Sequence, residues 1–282
     1  MLLSPICAEY LIGYDESIGR PLELAAGLLI LAPLYGAVAV LIREVTRRAG
    51  RGWPTILLLG AAFGLVQAGL IDQSLFHIEF DDDDPAWATE RPTTIIPGLG
   101  VDAGNLVNWV GGHTIWSFAA PIAVVEALVP ERADRPWLGR AGLSVMVVLY
   151  LMGAALILSD VGDGATNAQM IGTAVVVAAL AVAAFAIPRR SAIGSGRVPP
   201  PWLVGLAAVA VLATHQLLPQ SWVGVAVDVL ALTLFGAGLL HWSGRTSWGR
   251  MHVLAAGGAA LVVNAALSFA VEPLGSPSLV GK

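Results

Sequence analysis

Five polar side chains interrupt long apolar stretches of this sequence, and their chemical types can bind ligands or transfer protons: Gln67, His113, His215, Asp228 and Asn264. An ionisable group in hydrocarbon costs about 3 kcal/mol or more on insertion scales, so His113 and Asp228 need partners. Because such groups commonly mark functional sites, the five are candidates for a polar pocket. Alternatively, they only join helices through hydrogen bonds worth about 0.6 kcal/mol each. Direct pairing of Asp228 with His113 or His215 in a sealed interior would favour that structural role.

A run of carboxylates is a candidate site for a divalent cation, which prefers oxygen ligands. It comprises Asp81, Asp82, Asp83 and Asp84. The run lacks the spaced ligands and the turn glycine of a calcium loop. In the alternative interpretation, Asp84 caps a short helix that begins at Pro85, and the other acids are solvated. The one cysteine, Cys7, excludes an intrachain disulfide and a cysteine-based metal cluster. No cofactor is predicted.

Motifs that would name an enzymatic activity are absent from the sequence. It has no phosphate-binding glycine loop with a lysine, no His-Glu-x-x-His and no Gly-x-Ser-x-Gly. The only lysine is Lys282, so no apolar segment offers the Schiff-base lysine that a retinal protein needs. We therefore favour a non-enzymatic protein and keep an enzyme as the alternative.

The elements that must position these side chains are membrane-spanning helices. Of 282 residues, 56% are hydrophobic and only 12% are charged, whereas a soluble domain has about 25% charged residues. A spanning helix needs about 20 apolar residues. Eight windows qualify or nearly do, which predicts an all-α, polytopic transmembrane bundle with both termini outside. These windows form a single membrane domain over residues 1–282: 22–42, 54–76, 106–128, 141–160, 168–187, 201–218, 222–242 and 252–271.

The arginines test this partition, because basic residues collect in cytoplasmic loops. All but three of the 15 basic residues fall in four alternate loops: Arg43, Arg47, Arg48 and Arg51; Arg132, Arg135 and Arg140; Arg189, Arg190 and Arg197; Arg245 and Arg250. The basic face should be cytoplasmic, and the acidic residues gather on the opposite face. The preference for arginine over lysine is typical of GC-rich bacterial genomes, so the predicted location is the bacterial cell membrane.

Two further patterns predict how the segments pack. Gly60, Gly64 and Ala68 recur four apart on the second segment, and such small residues mark close helix contacts in lipid. Residues 1–20 carry no long apolar run, and we expect them to form an interfacial segment at the outer face.

Helical periodicity places the polar residues of the third segment together. Four of its residues share one face: Trp109, His113, Trp116 and Ser117. Given the predicted directions of the segments, four polar groups lie in the outer half of the membrane or near its midplane: Gln67, His113, Asp228 and Asn264. We predict that these four share one cavity. His215 closes the sixth segment near the outer surface.

These residues also carry a resemblance. With Gly64-Leu65-Val66-Gln67-Ala68-Gly69 on one helix, His113 on the next and Asn264 on the last, the chain resembles the CPBP family of intramembrane proteases, the CAAX- and bacteriocin-processing type. The resemblance implies an eight-helix bundle in which paired glutamates activate water, with histidines and an asparagine completing the site. Here Gln67 and Ala68 stand in place of the glutamates. A glutamine does not take a proton from water as a carboxylate does, so this copy should be inactive or work differently.

Three functional hypotheses follow. The first, which we prefer, is a non-enzymatic permease-like or membrane partner protein with a polar pocket in its outer half. The second is an intact or degenerate CPBP-like intramembrane hydrolase that uses His113 and Asp228, with Asn264 as an oxyanion donor. The third is a structural role in assembly. The lipid bilayer is the expected partner, together with another membrane protein or a second copy of the chain, and no nucleic acid is expected.

Overall fold

A computed structural model describes residues 1–76, 93–161, 164–188 and 194–271. The proposed cation ligands Asp81 to Asp84 lie outside the described residues. The described chain is helical except for one short antiparallel hairpin, in which β1 (Ile95–Ile96) pairs with β2 (Val101–Asp102). The prediction of an all-α, polytopic helical membrane protein is confirmed.

Eight long helices, α1 to α8, lie where the apolar windows predict them. The bounds of the eight, in order, are Pro21–Arg48, Trp53–Ile71, 103–128, Arg140–Asp160, Asn167–Ala186, Pro201–Leu217, Trp222–Ser243 and Arg250–Leu267. Three of them contain π-helical turns: α1 at Ala32–Gly36, α2 at its end, Gln67–Ile71, and α3 at His113–Ala119, between Ala103–Gly112 and Ala120–Leu128.

Length and hydropathy make six of these helices candidate membrane spans: α1, α2, α4, α5, α7 and α8. The helix α6 has 17 residues and is a shorter apolar helix. The helix α3 carries His113, Asn108 and Glu126 among its apolar residues. That all eight cross the membrane, with both termini outside, stays a prediction.

Hydrogen bonds link the four arginine-bearing loops at one end of the bundle, which we call the basic end. Arg43 Nη2 donates to the Arg132 carbonyl at 3.0 Å, and Arg51 donates to the Ile187 carbonyl. His252 Nε2 donates to the Pro199 carbonyl at 3.1 Å. The structure therefore brings together the loops that the charge pattern assigns to one face.

A buried ion-pair cluster closes the basic end. Glu126 lies 2.6 Å from Arg47 Nη2 and 3.0 Å from Arg43 Nε. Arg43 also donates to Glu44 at 3.0 Å, and its guanidinium carbon lies 3.3 Å above the ring centre of Trp137. Arg43 is only 2% exposed and Glu44 is fully buried. The arginines that reveal topology in the sequence therefore also join α1, α3 and the connection to α4.

The main hydrophobic core lies next to this cluster, where α1, α2, α3 and α5 meet. Its members are apolar side chains from all four helices: Val38, Ala39, Ile42, Ile56, Leu59, Phe118, Ile122 and Ala184. Thr55 reinforces the α2–α5 contact by donating to the Ala184 carbonyl at 2.8 Å.

The predicted glycine contact of α2 is confirmed. Gly60 and Gly64 are buried, and a Cβ added at Gly64 would lie 3.2 Å from Val110 Cα and 3.3 Å from His113 Cβ. The absence of a side chain at this position allows α2 to approach α3 beside His113.

The structure places the N-terminal segment, residues 1–14, differently from the sequence analysis. It contains helical turns at Leu3–Pro5 and Ile6–Tyr10, and it enters the bundle instead of lying at the interface. Ser4 Oγ donates to the Ser117 carbonyl at 2.5 Å, and Cys7 is 1% exposed. Pro5 and Cys7 are buried because this short segment packs against α1 and α3.

Candidate functional site

A cavity of about 360 Å³ lies between the N-terminal segment and helices α3, α6 and α8. Its wall combines ionisable, amide and aromatic side chains: Glu9, Tyr14, Asn108, Trp109, His113, Trp116, Ser117, Gln216 and Asn264. The volume falls within the range of about 300–1,000 Å³ that is usual for small-molecule sites. The predicted face of α3, which carries Trp109, His113, Trp116 and Ser117, is confirmed as one wall of this cavity.

His113 is positioned by the π-helical turn His113–Ala119 of α3. Its Nδ1 lies 3.2 Å from Ser117 Oγ, and its ring centre lies 5.5 Å from that of Tyr35 on α1. Such turns insert an extra residue into a helix and frequently occur at functional sites. The imidazole is thereby fixed between α1 and the cavity.

The N-terminal segment contributes the carboxylate of the cavity. Tyr14 donates its hydroxyl hydrogen to Glu9 Oε2. Burial, reinforced by the neighbouring Glu9 carboxylate, raises the pKa of Tyr14 above its usual value, so the phenol stays protonated and continues to donate. Glu9 and Tyr14 are functional candidates that sequence reasoning missed, because residues 1–20 were expected at the membrane surface.

Two carboxamides complete the wall opposite the N-terminal segment. Gln216 Nε2 donates to Asn264 Oδ1 at 3.3 Å, which joins the ends of α6 and α8. Asn264 is 3% exposed. Because this hydrogen bond uses Asn264 Oδ1, the NH₂ group of Asn264, a residue of the cavity wall, stays available as a donor.

Asp228 and His215 form a pair that lies outside the wall of this cavity. Asp228 Oδ2 lies 2.7 Å from His215 Nδ1, and both residues are 7% exposed. The ring centre of His215 lies 5.6 Å from that of Trp116, and the two rings are stacked. Trp116, which donates to the Ala260 carbonyl at 2.9 Å, therefore separates the pair from the cavity.

Gln67 also lies outside the wall. Its Nε2 donates to Asp72 Oδ2 at 3.3 Å within the π-helical end of α2. Of the five side chains predicted to form a site, the structure brings His113 and Asn264 to one cavity, pairs Asp228 with His215, and leaves Gln67 near the end of α2.

The side chains that commonly bind metal ions do not cluster in the described part of the chain. Across residues 1–76, 93–161, 164–188 and 194–271, no three His, Cys, Asp or Glu side chains come close enough to hold a metal ion. The carboxylate run beginning at Asp81 lies beyond these ranges.

The helices and the polar cavity define an integral multi-pass membrane protein. The chain belongs to an uncharacterized membrane protein family, whose model matches residues 1–272. No curated protein and no solved structure matches the chain. The family match therefore supports the membrane assignment and gives no support to the resemblance to CPBP proteases.

Proposed function

We propose that this protein is a non-enzymatic, permease-like membrane protein that takes a small cationic, hydrogen-bonding solute into its outer-half pocket. The observation that carries the proposal is the composition of the 360 Å³ cavity. One wall offers the Glu9 carboxylate, another the His113 imidazole, and a third the Asn264 and Gln216 amides. Such a cavity can bind charge and hydrogen-bonding groups at once.

The preference for a cation rests on charge and on aromatic rings. Glu9 is the carboxylate of the wall, and the ring faces of Trp109 and Trp116 attract cations. The acidic residues that gather on the predicted outer face would concentrate cations near the entrance, over a screening length of about 8 Å at physiological salt.

The pocket is separated from the basic end by packed apolar residues. Phe118 and Ile122 follow the cavity along α3 and belong to the buried core, and Glu126 one turn later belongs to the ion-pair cluster. We interpret this arrangement as the outward-open state of a permease or of a solute-sensing partner protein.

We assign a structural role to Asp228 and His215. The two side chains contact each other directly in a nearly sealed interior, as expected for groups that join helices. The contact joins α6 and α7 across their short connection, so it fixes the register of this helical hairpin.

A binding experiment with purified protein tests the proposal. The probes are choline, ethanolamine, putrescine and glycine betaine, measured by thermal unfolding and by calorimetric titration in detergent. We expect at least one probe to bind and raise the unfolding midpoint. Glu9→Gln should weaken that binding at least tenfold, because a charge-assisted hydrogen bond contributes about 1.5–3 kcal/mol.

The matched control is Glu16→Gln. Glu16 belongs to the same N-terminal region but is exposed, and its substitution should leave binding unchanged. If no probe binds, the cationic ligand class is wrong. If Glu9→Gln binds like the parent, the cavity is not the binding site.

A second candidate function, an intramembrane hydrolase, is favoured by one contact. Ser117 Oγ and His113 Nδ1 lie 3.2 Å apart on the cavity wall, and a histidine at this distance can activate a serine nucleophile. A fluorophosphonate probe distinguishes the two functions, since attack by Ser117 Oγ forms an O–P bond and releases fluoride. Labelling that is lost in Ser117→Ala would favour the hydrolase, whereas a binding protein should remain unlabelled.

A further inference from the structure

A second, larger cavity lies on the other side of α3. It is a groove of about 610 Å³ between α2, α3, α7 and α8, and its wall is almost entirely apolar. Small residues create the space. Gly111 and Ala119 form part of the α3 wall, and Gly236 forms part of the α7 wall. A Cβ added at Gly236 would meet nothing within 4 Å, so this glycine faces open space.

The groove is long enough for the acyl chain of one membrane leaflet. At 1.5 Å per helical residue, its wall is about 16 Å long on α7, from Leu232 to Ser243, and about 26 Å long on α3, from Leu106 to Ala123. The hydrocarbon core of a bilayer is about 30 Å thick, so one leaflet occupies about half of it. The groove also begins at the basic end, where Trp53 and Trp248 form its mouth.

The mouth carries positive charge. Arg250 precedes the wall residues Val253 and Gly257 by three and seven positions on α8, which places it on the same helical face one turn nearer the surface. Arg250 is exposed, and within the described ranges it forms no ion pair with a carboxylate. Tryptophans and arginines at this depth are typical of contacts with lipid headgroups.

We propose that the groove binds one anionic phospholipid, with an acyl chain between α3 and α7 and the phosphate at Arg250. Three observations support this occupant: the wall is apolar, it is long enough for the acyl chain of one leaflet, and a cation lies at the mouth. The site is separate from the polar cavity and does not depend on the proposed function.

Native mass spectrometry of the full chain, released from detergent after incubation with phosphatidylglycerol or phosphatidylcholine, tests the proposal. We expect one retained phosphatidylglycerol per chain. Gly236→Leu should reduce its retention at least tenfold, because the new side chain occupies the groove. Arg250→Gln should reduce the preference for phosphatidylglycerol over phosphatidylcholine about fivefold, as expected for one basic residue at a membrane surface.

Gly258→Leu is the matched control. Gly258 lies on α8, a Cβ there also meets nothing within 4 Å, and it does not line the groove. This variant should retain phosphatidylglycerol like the parent. If the Gly236→Leu variant and the parent retain phosphatidylglycerol equally, the lipid is bound non-specifically at the protein surface, and the proposal is overturned. The proposal would also be overturned if the parent forms a dimer without bound lipid and Gly236→Leu dissociates that dimer. The groove would then hold a second copy of the chain.

Discussion

Replacing Glu126 by alanine removes a carboxylate that faces two buried arginines. Arg47 contacts it through Nε at 2.9 Å and Nη2 at 2.6 Å, and Arg43 Nε lies 3.0 Å from it. The side chains of Arg47 and Glu126 are both 7% exposed. Arg43 keeps its contact with Glu44, so the loss falls mainly on Arg47. Removing one partner of a buried ion pair typically costs about 3–5 kcal/mol, and we expect that loss here.

Reversible unfolding in mixed micelles of mild detergent and SDS measures this change. Asp134→Ala is the control, because the Asp134 side chain is 91% exposed and lies 3.9 Å from the same Arg47. An exposed pair contributes at most about 1 kcal/mol. If Glu126→Ala lowers the free energy of unfolding no more than Asp134→Ala does, the cluster does not hold the helices together. A coupling energy near zero in the Arg47→Ala, Glu126→Ala double-mutant cycle would refute the pairing itself.

Three further predictions concern packing and topology. Asp228→Ala should lower the free energy of unfolding by up to about 1.7 kcal/mol, the upper end for a hydrogen bond between membrane helices. Asp228→Asn should lower it less, because the asparagine carbonyl still accepts a hydrogen bond from His215. Equal decreases for the two variants in the same micelle assay would contradict this. Gly64→Leu should reduce folded protein in size-exclusion profiles, since the side chain would collide with α3, and an unchanged profile would exclude that contact. Reporter fusions after residues 90 and 195 should report opposite sides of the membrane, and the same side for both would overturn the topology.

Much of the bundle could be predicted because lipid imposes simple rules on helix length. The fifth window, 168–187, is offset by one residue at each end from Asn167–Ala186, and the seventh, 222–242, ends one residue before Trp222–Ser243 does. The third helix begins earlier than expected, at Ala103, because Asp102 accepts a hydrogen bond from the Asn105 N–H at 2.9 Å. A hydropathy profile does not detect such a helix N-cap.

The candidate site could be predicted only where helical periodicity applies. The face of α3 follows from spacing within one helix, whereas Glu9 enters the cavity through a short segment that has no long apolar run. The sequence does not determine which of two histidines pairs with Asp228, because His215 lies two residues before the end of α6, whereas Asp228 lies six residues after the start of α7.

The entry of residues 1–14 into the bundle has a consequence for biogenesis. This stretch is synthesised before the helices that it contacts, since Ser4 bonds to Ser117 on α3 and Gly13 lies against Ser268, which follows α8. The cavity that contains Glu9 is therefore incomplete until α8 has left the ribosome. A nascent chain truncated before α8 would contain an incomplete cavity, and quality-control proteases could distinguish it from the folded protein.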